Sequence, residues 1–213
     1  VHRLLGTLIY KGYVTQDSES NKYKITLKLF ELGNKKVEDL DILTVSKPYT
    51  KELMEKVNEV VHFVIREGNN IVYIDKVEAD NTIRMASTIG RRSPLYCTAV
   101  GKAILAQLSD KEVEKIWNSS KIEKLTEFTI TDLKEMKEEL EKVRQKGYAI
   151  DNEENELGVR CAGAPVFNRF GKVEGAISIS GPTIRITEDK AEEFAKEVVK
   201  YAGLISKELG YKG

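Results

Sequence analysis

The sequence predicts an α+β fold in which a short helix-and-hairpin piece precedes an antiparallel sheet with its helices grouped beside it. Two observations carry this. Apolar residues recur at helical spacing from Leu27 to Val57 and then switch to every second residue from Val60. The period-two runs fall into two blocks, 60–89 and 148–181, separated by charged amphipathic stretches that read as helices.

Taken in order, the chain opens with "VHRLLGTLIYKGYV", already inside a periodic pattern. Leu4, Leu5, Leu8 and Ile9 make one helical face, and Gly12 stands where a left-handed residue ends a helix. His2, Arg3, Thr7 and Lys11 leave by the other faces. By itself this is an ordinary amphipathic surface helix. "YVTQDSESNKYKIT" follows as two short extended runs around a Ser, Asp and Asn cluster, a hairpin. A helix followed at once by a small hairpin is the second half of a winged helix, with Asn21 and Lys22 at the wing tip. The next stretch predicts a helix near 27–33, broken at Gly33, and another ending near Val57, with Pro48 as either a kink or a start.

"VVHFVIREGNNIVYIDKVE" is a hairpin turning at Glu67-Gly68-Asn69-Asn70, and "TIRMASTI" reads as a third strand. "TAVGKAILAQL" is a helix with Thr98 as N-cap, and "SDKEVEKIW" opens on a Ser109/Glu112 capping box. "TDLKEMKEELEKVRQKG" is a charged amphipathic helix closed by Gly147. "YAIDN", "GVRCAGAPVF" and "KVEGAISISG" make three more strands, the last two joined by the turn "NRFG", before a helix from Thr187 to about Leu209. Six strands give one α+β domain of roughly 170 residues.

Composition removes whole classes of function. Apolar residues are 41% and charged residues 32% of 213, with a formal net charge of zero and no tract long enough for a membrane span. With no secretory pattern at the start, a cytoplasmic protein is expected. Residues 1–28 nevertheless hold a local excess of three positive charges, compatible with a phosphate-facing piece. Cys97 and Cys161, 64 residues apart, suggest no disulfide framework, and with His2 and His62 they form no zinc spacing. "TAVGKAIL" has Gly-Lys but neither the earlier Gly nor the following Ser or Thr of a phosphate loop. No cofactor and no metal are expected.

A candidate pocket follows from strand parity. Ser178 and Ser180 share one face of their strand while Ile177 and Ile179 take the other. Opposite a helix start at Thr98-Ala99-Val100, two hydroxyls would suit a small anion. The alternatives are that the serines are solvated and that Cys161 is a small buried apolar residue or a functional thiol. Whether Tyr96 narrows an entrance stays open.

"VHRLLGTLIYKGYV", "HFVIREGNNIVYIDKVE", "PLYCTAVGKAILA" and "RQKGYAIDNEENELGVRCAGAPVFNRFGKVEGAISISGP", in that order and with a terminal helix, closely resemble the IclR family of bacterial transcriptional regulators over essentially the whole chain. The resemblance implies a winged helix-turn-helix, a linker helix and a GAF-like effector domain, here 1–27, 28–41 and 42–213, in homodimers or dimers of dimers. Residues 1–11 would then be a recognition helix whose preceding helices are absent from this chain, leaving it a poor DNA binder alone. His2, Arg3 and Thr7 would face bases or phosphates of operator DNA, and Asn21, Lys22 and Lys24 would serve the wing. The resemblance also implies that Met85, Ser93, Ala99, Val100, Asp151, Val159, Cys161, Ser178 and Ser180 line a pocket for a small organic acid, a keto or sugar acid. The expected function is a repressor whose operator binding that acid alters. The competing expectations are a thiol-dependent reductase using Cys161 and a purely structural dimerisation module.

Overall fold

Four helix starts or ends are set by a residue that the sequence places there, Thr98, Ser109 and Thr187 as N-caps and Gly147 as a left-handed stop. The computed structural model describes residues 2–38, 41–82 and 85–213, with the side chains of His2, Asn34, Lys36, Val37, Glu38 and Asp41 left out. Contacts divide the chain into two units, Val1–Thr44 and Val45–Gly213.

In the first unit, α1 (His2–Tyr10) ends at Gly12, whose φ of +75° lets the Tyr13 amide turn back to the Leu8 carbonyl at 2.9 Å. β1 (Val14–Gln16) pairs antiparallel with β2 (Tyr23–Ile25), and Thr15 faces Lys24. The loop between them is wound on Asp17, whose Oδ1 accepts from the Ser20 amide and hydroxyl, both at 2.8 Å. Its apex is therefore Ser18–Ser20, and Asn21 and Lys22 follow on the descending side. Thr26 ties this turn to the next helix by donating to the Gly12 carbonyl at 2.6 Å. α2 (Leu27–Glu38) runs through Gly33 rather than breaking there. A single glycine among Leu, Lys and Glu weakens a helix without ending it. α3 (Asp41–Val57) carries Pro48 inside it, so proline is not its start. The ring removes the bond back to Thr44, the residue at which the two units divide.

In the second unit, β3 (Val60–Glu67), β4 (Asn70–Val77) and β5 (Arg92–Pro94) form one half of a six-stranded sheet, and β6 (Ala149–Asn152), β7 (Val159–Phe167) and β8 (Val173–Pro182) form the other. The order is β5-β4-β3-β8-β7-β6, every pair antiparallel. The halves meet where Val61 lies opposite Ile179 and His62 opposite Ser178. Gly68, at φ +63°, makes the two-residue turn from β3 to β4.

The expected strand over 82–89 is corrected. Ile83 and Arg84 lie outside the described residues, and Met85–Thr88 form no strand. The Lys76 ammonium takes the carbonyls of Met85 at 2.9 Å and Ser87 at 2.7 Å, holding the segment as a strap. The edge of β4 pairs instead with β5, where Pro94 is tolerated on an outer strand.

α4 (Ala99–Leu105) is shorter than expected, seven residues capped by Thr98, whose hydroxyl accepts from the Gly101 amide. α5 (Asp110–Ser119) opens on the Ser109/Glu112 capping box, and α6 (Leu133–Lys146) closes at Gly147 with φ +80°. α4, α5 and α6 share a core with β3 and β4 built from Val64, Ile71, Leu95, Ile104, Val113 and Leu140. α4 can approach β7 because residue 163 is glycine; a Cβ there would sit 2.8 Å from the Val100 nitrogen. α7 (Glu188–Glu208), capped by Thr187, packs along β7 and β8 and is tied to α3 by Tyr201–Glu52 at 2.9 Å and Lys56–Glu197 at 2.6 Å.

Candidate functional site: an enclosed polar cavity on the sheet

The alternation of each strand sends one set of side chains toward the start of α4, and there they line a partly open cavity of about 40 Å³. All six strands contribute: His62, Tyr73, Ser93, Asp151, Val159 with Cys161, and Ser178 with Ser180. Thr98, Ala99 and Val100 form the wall at the helix start, and Met85 to Ser87 of the strap close over it. The nine residues expected to form a pocket all line this one cavity. Wider clefts open on the surface, one of about 560 Å³ between the Gly68 and Gly171 turns, but none gathers polar groups from so many elements.

Several lining residues were missed by sequence reasoning. Arg91 is the one Lys or Arg among the described residues of the wall, and supplies the positive charge that paired serines lack. His62 and Tyr73 meet edge to face at 5.0 Å, and Asn155 and Glu156 come from the acidic loop. His62 could have been found only by knowing that β3 sits beside β8, which puts it on the face of Ser178. Tyr96 is no gate: it is buried against Trp117 and its hydroxyl donates to the Glu123 carbonyl at 2.9 Å.

Asp151 belongs to a buried cluster of charged side chains. Asp151 Oδ1 accepts from the amides of Glu154 at 2.9 Å and Asn155 at 3.4 Å. Glu154 is bonded to the ammonium of Lys102, a residue 1% exposed, which also lies 3.5 Å from Glu139. Thr126 and Thr129 hold the loop from behind, donating at 2.6 Å to the carbonyls of Glu153 and Glu154. Burial, and next the charge of Glu154, push the Asp151 carboxyl up to about 7. Burial pulls His62 down to about 3, so its ring is neutral.

Burial also raises both thiols, Cys97 and Cys161, above the ordinary range, with Asp151 adding to each. That is the reverse of what a thiolate nucleophile needs.

Among the residues expected to meet DNA, Arg3 and Thr7 lie exposed on α1, with the Thr7 hydroxyl donating to the Arg3 carbonyl at 2.9 Å. The His2 side chain lies outside what is described. Asn21, Lys22 and Lys24 are exposed on the hairpin, and Lys24 pairs with Asp17 at 3.3 Å. Among the described residues no helix is long and apolar enough to cross a membrane.

The family model described as bacterial transcriptional regulator IclR C-terminal matches residues 34–207. HTH-type transcriptional regulators KdgR of Dickeya chrysanthemi and of Escherichia coli K12 are 42% and 41% identical, over 99% of this chain and 69% and 80% of theirs. The crystal structure of the Thermotoga maritima IclR superposes with a TM-score of 0.84 at 37% identity, covering 99% of this chain and 85% of that one. The chain belongs to the IclR family of transcriptional regulators. Its close relatives are regulators and not enzymes, which sets aside the thiol-dependent reductase.

Proposed function

We propose that the sheet cavity is an effector site for a small organic acid, a keto or sugar acid, whose occupancy alters operator binding by the N-terminal helix and wing. The observation that carries this reading is the convergence of six strands and a helix start on one polar space with Arg91 at its wall. Arg91 and the leading amides of α4 offer a carboxylate its counter-charge and donors, while Ser93, Ser178 and Ser180 match hydroxyl or keto oxygens. Met85 and Val159 supply the apolar contact.

On this reading Arg3 and Thr7 of α1 meet bases or phosphates and Lys22 and Lys24 steady the wing. The apolar stripe of α1, with Leu4 70% exposed, supports it, because a recognition helix buries such a stripe against neighbouring helices. The regulator acts as a repressor, in line with its relatives named as repressors, IclR and AllR of E. coli. It works as a homodimer or dimer of dimers.

The test is calorimetry with pyruvate, glyoxylate and gluconate on the wild type and on the variant carrying Ser178→Ala and Ser180→Ala. Alanine leaves little void on a strand face, so folding should stand while affinity falls by about 1–3 kcal/mol. Equal affinity in both proteins would move the ligand elsewhere.

A further inference from the structure

Among the described residues, two buried side-chain atoms have no hydrogen-bond partner: Nδ1 of His62 and Oε2 of Glu154. The second belongs to a carboxylate already held by Lys102. The first has no such explanation, and an orphaned polar atom in a packed interior calls for one.

His62 is 2% exposed at the middle of the sheet. Its register opposite Ser178 places both on the face that lines the cavity. One nitrogen is already engaged, since Nε2 lies 2.7 Å from the Ser87 hydroxyl. Ser87 belongs to the strap, whose backbone carbonyls at 85 and 87 are taken by Lys76. Lys76 thus holds the strap's backbone, and the imidazole engages its Ser87 hydroxyl. A neutral imidazole presents one N–H and one lone pair. If the serine hydroxyl donates to Nε2, the proton sits on Nδ1, where it needs an acceptor. The polar groups of a simple keto acid such as pyruvate are acceptors only.

We propose that His62 is a ligand-reading residue of this cavity: Nδ1–H donates to the keto oxygen of the bound acid, while Nε2 accepts from Ser87 and so joins the ligand to the strap above it. The inference rests on the cavity being the acid site. It adds a selection rule, that acids offering an acceptor-only keto oxygen at this point are preferred over those with a methyl group or with a hydroxyl, whose oxygen leaves the plane of the carboxylate and brings a proton of its own.

Two substitutions separate the nitrogens. Asparagine carries its amide N–H near the position of Nδ1, whereas glutamine reaches the position of Nε2. With pyruvate as probe, His62→Gln should lose at least tenfold in affinity, and His62→Asn should keep most of it. D-Lactate, with a hydroxyl in place of the keto oxygen, should bind the wild type at least tenfold more weakly than pyruvate, and His62→Gln should remove that difference. A residue serving only to pack the sheet would give neither the split between the variants nor the loss of discrimination.

Should both variants fail to fold, nitrogen NMR of the 15N-histidine wild type decides, since the chain has only two histidines. Saturating pyruvate should shift a protonated Nδ1 of the buried ring; an unmoved resonance, or a proton on Nε2, overturns the assignment. If His62→Gln binds pyruvate as the wild type does while the double serine variant is weakened, the cavity reading stands and this inference falls. If neither set of substitutions changes binding, both fall.

Discussion

Replacing Lys102 by Met would remove the cation from the ionic cluster behind Asp151 while keeping the apolar length of its stem. Glu154, itself nearly buried, would then face the buried Asp151 with no positive charge between them, while Glu139, at 3.5 Å from the lost ammonium, would keep only its exposed pair with Lys142 at 3.6 Å. Breaking a buried pair by removing one partner costs about 3–5 kcal/mol, because the remaining charge stays desolvated. At 2–4 °C per kcal/mol for a domain of this size, the melting temperature should fall by roughly 6–20 °C at pH 7.5.

The sign of its pH dependence follows from Glu154. Burial already raises that carboxyl, and Lys102 opposes the rise. Without Lys102 the folded-state value climbs further, so stability should be nearly intact below the unfolded value and lost as pH rises through the folded one. The assay is urea denaturation from pH 5 to 8, with the double variant Lys102→Met, Glu154→Leu as control. The double variant should recover most of the loss, since two apolar groups leave no stranded charge. A single-variant loss under about 1 kcal/mol at pH 7.5, or a double variant no better than the single one, would refute the cluster's role.

Three other outcomes are expected. Asp151, raised to about 7, should keep its proton beside a bound carboxylate, so pyruvate affinity should fall about tenfold between pH 7.5 and 8.5 by calorimetry, and Asp151→Asn should flatten the profile. The same carboxyl withholds stability as pH rises from its unfolded value of 3.8 to about 7, and contributes no further change above that. Gly163→Ala would push a methyl against the backbone of Ala99 and Val100, at 2.9 and 2.8 Å; a loss of about 1–3 kcal/mol in urea is expected, and none at all would mean that α4 shifts freely. Arg3→Ala should weaken operator binding by about 1–3 kcal/mol if it reads a base, and an unchanged affinity and salt slope by fluorescence anisotropy would return α1 to an ordinary amphipathic helix.

What could be read from the sequence was local. The Ser109/Glu112 box, the Gly147 stop and the Thr187 cap each depend on residues within one turn, and each is found where the spacing puts it. The parity of Ser178 and Ser180 is likewise a property of a single strand. The segment 82–89 misled because alternating apolar residues look like a strand whether or not an edge is available. Instead its carbonyls at 85 and 87 are held by the ammonium of Lys76, on the preceding strand β4, and a side-chain-to-backbone tie of that kind leaves no periodic trace. His62 and Arg91 escaped notice for a related reason. Their place at the cavity depends on β3 lying beside β8 and on the strap folding back, and neither is written in the residues around them.

The sheet order has one more consequence. β3-β4-β5 and β6-β7-β8 are each meanders of sequence neighbours, and only the β3–β8 seam joins them, pairing Val61 with Ile179 across more than half the chain. Each meander can form early from near contacts, whereas the seam must await closure of a long loop. His62, Tyr73 and Ser93 stand on one side of it, and Asp151, Cys161 and Ser180 on the other. Neither half alone therefore encloses the cavity; it comes into being only when the seam zips. An occupant would act as a clasp across the last step of assembly, lengthening the life of the joined state without speeding the formation of either half.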